Sequence, residues 1–215
     1  MAIITILYCN INKILDDKII EYLKILPEFM RVDVNRYINI SDQKSRLLAR
    51  LMLQKSMENT EKINLVNGWE RDQNNKPFIV GWHSFNISHS VEMVVFAYGS
   101  NNIGIDIEKK VKLDFKEIMR NFHPEEQEYI NNSEHIQKTF YDIWVKKEAM
   151  LKAIGIGIIN GLKEFSCINE SVSYKGNDWH FHSFSIHSDY ISYVCSLNKG
   201  DEIIVTEFIP TPLFP

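Results

Sequence analysis

Residues 85–108 read FNISHSVEMVVFAYGSNNIGIDIE, and this stretch decides the fold because it contains three apolar segments separated by short polar ones. Residues 85–90, 93–98 and 103–108 each have the length and the apolar content of a β-strand. The first two segments flank a short turn, which favours an antiparallel pair. We therefore expect a sheet at the centre of the chain.

Helical patterns follow on either side of this sheet. We expect Ser41 to cap one helix, and Pro124 to occupy the first turn of another. A longer helix is predicted to begin at a Ser133 cap and to end at Ile154, where Gly155 provides a stop signal. These patterns place helices both before and after the central strands.

The remaining segments complete the predicted fold class. Residues 68–77 are polar and rich in Asn, Asp and Gly, which indicates a loop, and residues 165–208 alternate in the manner of strands. Residues 3–8 form a further strand, without the basic segment and cleavage site of a signal peptide. The order of strands, helices and strands predicts an α+β fold with antiparallel sheets.

Composition narrows the class of protein. The chain has 215 residues, of which 45% are hydrophobic and 24% charged, as in ordinary globular proteins. A formal net charge of −4 provides no general attraction to nucleic acid or anionic membranes, so neither is expected as a partner. Three widely spaced cysteines without a CxxC pair argue against a disulfide framework or a zinc site, and a cytoplasmic location is expected.

The first chemical motif is Gly104-Ile105-Asp106-Ile107-Glu108. Strand alternation projects Asp106 and Glu108 from one face, and the two isoleucines from the other. Neighbouring carboxylates repel each other unless a cation or a hydrogen-bond network compensates, and Mg²⁺ is a common solution. By itself, the pattern is more often a solvated strand face.

The second motif lies on the long helix. Trp144, Glu148 and Lys152 follow one another at helical spacing and therefore share a line on its surface. A surface ion pair is the simpler interpretation of Glu148 and Lys152. However, the line flanks the apolar stripe and has an aromatic end, which predicts partial burial, where charges are costly unless they serve a ligand.

The third motif is Phe85-Asn86-Ile87-Ser88-His89-Ser90, preceded by Lys76. Ser88 and His89 point in opposite directions in an extended chain and no G-x-S-x-G motif is present, so a serine hydrolase is disfavoured. A hydroxyl, an imidazole and a lysine can instead bind phosphate, although a structural His89 remains open. Taken singly, Lys76 and Arg46 are typical solvated charges.

Together these motifs resemble the 4′-phosphopantetheinyl transferases of the surfactin-synthetase-activating (Sfp) type. The resemblance is carried by the segments at 85–90 and 104–108, by W-x-x-K-E-A-x-x-K at 144–152 and by the Gly155-x-Gly157 that follows. It extends to Lys76-Pro77-Phe78 and to Arg46. Each signature is weak alone, but their order and separations make chance agreement improbable.

The resemblance implies a Mg²⁺-dependent enzyme that transfers the phosphopantetheine arm of coenzyme A to a serine of an acyl or peptidyl carrier protein, releasing adenosine 3′,5′-bisphosphate. It implies a fold of two similar halves related by a pseudo-twofold axis. We place the N-terminal half, which contributes to coenzyme binding, at residues 1–102. The C-terminal half, with the metal site and the catalytic helix, is expected at residues 103–215.

The same resemblance assigns roles to individual residues. Asp106, Glu108 and Glu148 would bind the metal, and Glu148 would also activate the attacking serine, directly or through water. Lys152 and His89 would face the pyrophosphate and Ser88 its neighbouring oxygens. The two remaining basic residues would contact the nucleotide, at the 3′-phosphate for Arg46 and near the adenine for Lys76.

Several points depart from the family or stay open. Val145 stands where the family usually has Ser, Thr or Cys, and Arg31 and Arg36 are unassigned candidates for the 3′-phosphate. Glu126 falls where the family often has an acid, but no role for it follows from the sequence.

Two other functional classes are weighed against transfer. A binding module that has lost catalysis would not need the acidic residues, and a metal-dependent phosphohydrolase would need a denser set of metal ligands. We expect a monomer, and the pathway served, whether fatty acid, polyketide or nonribosomal peptide synthesis, stays open.

Overall fold

A computed structural model describes residues 2–112, 114–156 and 161–211. In this part of the chain, ten strands form two four-stranded sheets and a small hairpin. The strands are β1 (Ile3–Asn10), β2 (Trp69–Arg71), β3 (Pro77–Ile79), β4 (Ser84–Ser90), β5 (Met93–Gly99), β6 (Gly104–Lys109), β7 (Ser171–Tyr174), β8 (Asn177–Ser183), β9 (Tyr190–Ser196) and β10 (Glu202–Glu207). The helices are α1 (Ile19–Leu23), α2 (Glu28–Asn35), α3 (Ile40–Asn59), α4 (Lys116–Met119), α5 (Pro124–Asn131) and α6 (Ile136–Ile154).

Each of the two larger sheets has four strands and is covered by one long helix. The first has the strand order β10-β1-β5-β4, and the second has the order β6-β9-β8-β7. All their neighbouring strands are antiparallel except β1 and β10, which are parallel in a register that pairs Ile3 with Glu202. The predicted α+β fold with two similar halves is confirmed, and β10 completes the sheet of the N-terminal half.

Three apolar clusters hold these layers together. Helix α3 packs on the first sheet through fully buried residues such as Leu48 and Met52, and α6 packs on the second through Phe140 and Met150. The third cluster is shared by both sheets. It contains Ile4, Ile6, Met93, Val95, Ala97, Ile103, Ile105, Ile107, Tyr190 and Val194. Because this cluster contains residues of both sheets, it packs the two halves against each other.

The long helices occur where predicted, but their N-terminal caps differ. Helix α3 is capped by Asn39, whose side chain accepts hydrogen bonds from the backbone N–H groups of Ser41 (2.8 Å) and Asp42 (3.3 Å). Ser41 is therefore inside the helix and the prediction of a Ser41 cap was wrong. The Ser133 cap was also wrong, because α6 begins only at Ile136 and the Ser133 hydroxyl accepts from a backbone N–H before the helix.

The helix ends at 124 and 155 follow the sequence signals. Pro124 opens α5, and the Glu126 side chain accepts from the backbone N–H of His123 in a capping box. Gly155 has φ 79°, a left-handed conformation that favours glycine, and its N–H donates to the Leu151 carbonyl at the end of α6. Gly157, the second glycine of the motif, lies outside the described residues.

The sequence predicted that residues 68–77 form a loop, and this prediction is only partly correct. Trp69–Arg71 forms β2 and pairs with Pro77–Ile79, and only the segment between them is a turn. The polar composition reflects the exposed faces of this short hairpin.

None of the helices of the described residues combines the length and apolarity of a membrane span. The cytoplasmic location stays a prediction.

Candidate active site

The candidate site lies where the edge strands of the two sheets, β4 and β6, run side by side. The side chains that β4 directs at β6 replace the usual backbone ladder. Asn86 Oδ1 accepts a hydrogen bond from the N–H of Ile105 (3.1 Å), and Ser90 Oγ accepts from the N–H of Lys109 (3.1 Å). The seam between the halves is therefore lined with polar groups.

Asp106 is at the centre of this seam. Its Oδ1 accepts from Ser88 Oγ (2.7 Å) and from Lys152 Nζ (2.7 Å), and Lys152 also donates to Ser88 Oγ (2.9 Å). Asp106 is 3% exposed, and its second oxygen, Oδ2, is buried without a hydrogen-bond partner among the described residues. Strands β4 and β6 and helix α6 thus converge on one carboxylate.

Glu148 lies one helical turn before Lys152 and is also buried. Its Oε1 has no hydrogen-bond partner in the described chain. Burial raises the pKa of Glu148 to about 7, and the negative charges of Asp106 and Glu108 act in the same direction, whereas Lys152 opposes them. The expected partial burial of the line through Trp144 is confirmed, because Trp144 and Lys152 are half-buried.

Glu108 follows Asp106 on the same face of β6, as strand alternation predicted. Its Oε2 accepts from Ser90 Oγ (2.7 Å), while Ile105 and Ile107 point into the shared apolar cluster. Burial raises the pKa of Glu108, and the Ser90 hydrogen bond works against this shift. No three His, Cys, Asp or Glu residues of the described ranges lie close enough together to count as a metal-binding group.

Gly104 explains why α6 approaches β6 closely enough for these contacts. A Cβ atom at this position would lie 2.0 Å from the Ala149 carbonyl oxygen and 2.3 Å from the Ala153 nitrogen. Only glycine leaves room for the helix backbone there. No role for Gly104 followed from the motif alone, although a glycine at the start of a carboxylate-bearing strand is a signal for close packing.

Lys76 bridges the two halves at a cleft that opens beside this seam. Its Nζ donates to the carbonyl oxygens of Ile103 (3.1 Å) and Ala153 (3.2 Å), and burial lowers its pKa to about 8. Lys76 lines both a cavity of about 280 Å³ that contains Glu148 and Lys152, and a neighbouring one of about 480 Å³. Its predicted position near adenine stays a prediction.

Arg46 and His89 lie near the cluster but outside its hydrogen bonds. The guanidinium of Arg46 lies over the Tyr37 ring, 4.9 Å from the centroid. His89 keeps an exposed side chain, and its pKa is lowered by partial loss of hydration and by the positive charges of Arg46 and Lys152. Their roles at the 3′-phosphate and pyrophosphate stay predictions.

Ser90 and Asn86 are the seam residues that the sequence analysis did not assign. Both stand two positions from Ser88 on β4, so the alternation that exposes Ser88 to β6 also exposes them. The two-residue alternation of a strand was therefore the sequence signal that could have identified Asn86 and Ser90. A separate cavity of about 350 Å³ between α3 and the segment after β10 contains none of the predicted site residues.

Two family models match successive parts of the chain. Residues 15–101 match the model described as 4′-phosphopantetheinyl transferase, N-terminal, and residues 102–198 match the 4′-phosphopantetheinyl transferase superfamily. The second match contains the Asp106 strand and all of α6.

Curated relatives carry related names. The 4′-phosphopantetheinyl transferase gsp of Aneurinibacillus migulanus is 34% identical over 152 residues, which cover 66% of this chain and 62% of the relative. The 4′-phosphopantetheinyl transferase psf-1 of Bacillus pumilus is 30% identical over 162 residues, covering 71% and 70%. The 4′-phosphopantetheinyl transferase Sfp of Bacillus subtilis is 37% identical over 84 residues, covering 38% of each. The alignment thus spans just under two thirds of gsp and slightly more of psf-1.

Proposed function

The chain belongs to the 4′-phosphopantetheinyl transferase superfamily, and from this premise we propose that it transfers the phosphopantetheine arm of coenzyme A to a serine of an acyl or peptidyl carrier protein. Adenosine 3′,5′-bisphosphate is the second product. The observation that carries this proposal is the cluster formed by the buried Asp106 and Glu148 with the half-buried Lys152 at the edge of an open cleft.

The donor set of this group fits Mg²⁺. Asp106 Oδ2 and Glu148 Oε1 are buried carboxylate oxygens without hydrogen-bond partners in the described chain, and such oxygens are costly unless a cation or a donor reaches them. Proteins commonly hold Mg²⁺ through one or two carboxylates, with substrate phosphates completing the set. We propose Asp106 and Glu148 as two such carboxylates and, as the family resemblance implies, Glu108 as the third residue that holds it, although these three do not form a ready-made metal-binding group among the described residues. Bound Mg²⁺ would neutralise charge on the pyrophosphate oxygens.

The positive groups of the cleft bind and orient the pyrophosphate. Lys152 Nζ has its position fixed by Ser88, Asp106 and the Ile105 carbonyl (3.3 Å), so it needs little reorganisation when phosphate arrives. His89 and the Ser88 hydroxyl are proposed to contact the neighbouring oxygens. Fixed charges of this kind stabilise negative charge that develops as the phosphate bond breaks.

Glu148 is proposed to take the proton of the attacking serine hydroxyl at its carboxylate. Glu148 is a buried carboxylate with one oxygen that has no hydrogen-bond partner in the described chain, which suits a general base. Burial keeps bulk water away from the carboxylate, which favours the carrier serine over water as the nucleophile. Glu148 and Lys152 are therefore the proposed catalytic pair of α6.

The coenzyme's nucleotide is proposed to lie against the N-terminal half. Arg46 would bind the 3′-phosphate and Lys76 would lie near the adenine, so that residues 1–102 contribute recognition and residues 103–215 contribute chemistry. The division is supported by the position of the acidic cluster on β6 and α6. We further propose that the enzyme acts as a monomer in the cytoplasm.

Mass spectrometry of apo carrier proteins tests the function. Incubation with coenzyme A and Mg²⁺ should add one phosphopantetheine group to the carrier serine and release adenosine 3′,5′-bisphosphate, and a chelator should stop the reaction. Lys152→Met should lose most of the transfer, and Lys138→Met is its matched control, because Lys138 is on the same helix but its side chain is 68% exposed and pairs with Asp142. Release of free phosphopantetheine with an unmodified carrier would indicate a hydrolase. Coenzyme binding without turnover would indicate a binding module.

A further inference from the structure

A second charged pair connects α5 and α6 outside the cleft, and both of its side chains are fully buried. Lys147 Nζ is 2.9 Å from Glu126 Oε2, and both side chains are 0% exposed. Lys147 also donates to the Phe165 carbonyl oxygen (2.6 Å) and lies 4.7 Å from the centroid of the Phe165 ring. The pair therefore joins α5, α6 and the segment that begins at Phe165.

Glu126 is bonded as completely as its partner. Its Oε1 accepts from the N–H of Cys167 (2.7 Å), and its Oε2 accepts from the N–H of His123 (3.0 Å) in addition to facing Lys147. Both carboxylate oxygens are thus occupied, in contrast to the orphaned oxygens of Asp106 and Glu148. Glu126 therefore has no oxygen left for a ligand, whereas Asp106 and Glu148 each have one.

Stability alone does not account for a closed pair of this type. Removing two ions from water is expensive, and well-packed apolar residues in their place are often as stable or more stable. What a fully bonded pair provides is directional: each hydrogen bond restricts where the connected segments lie. The retained charges therefore point to a geometric role.

Lys147 immediately precedes Glu148, so one turn of helix directs the first side chain at Glu126 and the second at the cleft. A rotation of α6 about its axis that released Lys147 would also move Glu148 and Lys152 away from Asp106. We infer that the Glu126–Lys147 pair is a positioning element that fixes the rotation of α6 and so presents Glu148 and Lys152 to the cleft. Its effect on catalysis rests on the proposed transfer function.

Two variants carry the test. Glu126→Gln keeps the size and an accepting oxygen but removes the charge, and the double variant Glu126→Gln with Lys147→Met removes both charges without leaving one unpaired. Folding of each is checked by circular dichroism and cooperative unfolding. Lys138→Met again serves as the control for loss of a lysine from the exposed part of α6.

With coenzyme A and carrier, kcat should fall on the order of tenfold to a hundredfold in the double variant, because small displacements of catalytic groups have large effects. KM for coenzyme A should rise by a smaller factor than kcat falls, because Lys152 moves with α6 whereas Arg46 and His89, the other proposed coenzyme contacts, are not on α6. Glu126→Gln should lie between wild type and the double variant. Equal kcat values in folded variants would overturn the inference.

A second measurement is independent of transfer. Amine acetylation followed by peptide mass spectrometry reports the accessibility of Lys152, whose side chain is 29% exposed and bonded to Asp106. If α6 rotates, acetylation of Lys152 should become several-fold faster in both variants while that of Lys138 stays unchanged. Unchanged Lys152 labelling would overturn the positioning role even if transfer activity were absent. If the wild-type protein showed no transfer activity, the proposed function would be wrong, but faster Lys152 labelling in the variants would still support the positioning role.

Discussion

The Lys152–Asp106 ion pair offers the sharpest energetic test of the site. We consider Lys152→Met, Asp106→Asn and the double variant. The two charged atoms are 2.7 Å apart, and their side chains are 29% and 4% exposed. At an effective dielectric constant of about 20, their attraction is about 6 kcal/mol. The desolvation cost of Asp106 offsets much of it, and removing one partner of a buried pair typically costs about 3 to 5 kcal/mol.

Because water reaches Lys152, the cost should lie at or below the lower limit of this range. Lys152→Met should reduce the free energy of unfolding by about 2 to 3 kcal/mol, since Asp106 is left buried without its cation. Asp106→Asn should cost about 1 to 2 kcal/mol, because the lysine that remains is partly hydrated. The double variant should be more stable than the sum predicts, by at least about 1 kcal/mol.

Urea unfolding in a metal-free buffer at pH 7 measures the three values. Additivity within about 0.5 kcal/mol would refute the reasoning, since it would show that the two residues do not interact in the folded protein. A Lys138→Met/Asp142→Asn cycle provides the reference for an exposed pair on the same helix, for which a coupling below about 1 kcal/mol is expected.

Four further predictions concern single residues. Gly104→Ala should destabilise the protein by about 3 kcal/mol or more in thermal unfolding, because its Cβ would lie 2.0 Å from the Ala149 carbonyl oxygen, and a near-wild-type melting temperature would contradict this packing. Folding lowers the pKa of Lys76 from 10.5 to about 8, so above pH 8 the unfolded state binds more protons than the folded state. The free energy of unfolding of wild type relative to Lys76→Met should therefore rise by about 1 to 3 kcal/mol between pH 7 and 10. A difference that does not change with pH would argue against a buried ammonium. Glu148→Gln should slow single-turnover transfer by about 10²-fold while coenzyme titration shows binding largely retained, and a normal rate would return Glu148 to a structural role. Arg46→Ala should weaken coenzyme A binding by about 1.5 to 3 kcal/mol but leave 3′-dephospho-coenzyme A nearly unaffected, and equal losses would remove Arg46 from the 3′-phosphate.

The features that depend on a short repeat were predictable from the sequence. The alternation around Asp106 separated the acidic face of β6 from the apolar face, and helical spacing placed Glu148 and Lys152 together on α6. The cap of α3 was not predictable in the same way, because Asn39 and Ser41 are both good caps and the choice depends on the backbone of the preceding turn.

Contacts between distant segments account for what the sequence did not reveal. Glu126 gained a role only once the fold placed α5 beside Lys147, and Ser90 only once β4 was found next to β6. Strand alternation grouped Ser90 with Ser88, but neither pairing has a fixed sequence separation, so no period or motif could indicate which partner Glu126 or Ser90 would meet. The metal, pyrophosphate and 3′-phosphate assignments rest on the family resemblance and await the measurements above.

The parallel pairing of β1 with β10 has a consequence for biosynthesis. β1 leaves the ribosome long before β10, the strand that covers its outer edge with Glu202 opposite Ile3. While the residues between them are synthesised, the apolar strand Ile3–Asn10 therefore has an unprotected edge, which is the kind of template that promotes aggregation. Closing this pair also requires a loop that contains all the residues between the two strands, so it should be a late and slow step of folding. A nascent chain of this protein is consequently a natural client for chaperones until β10 has emerged.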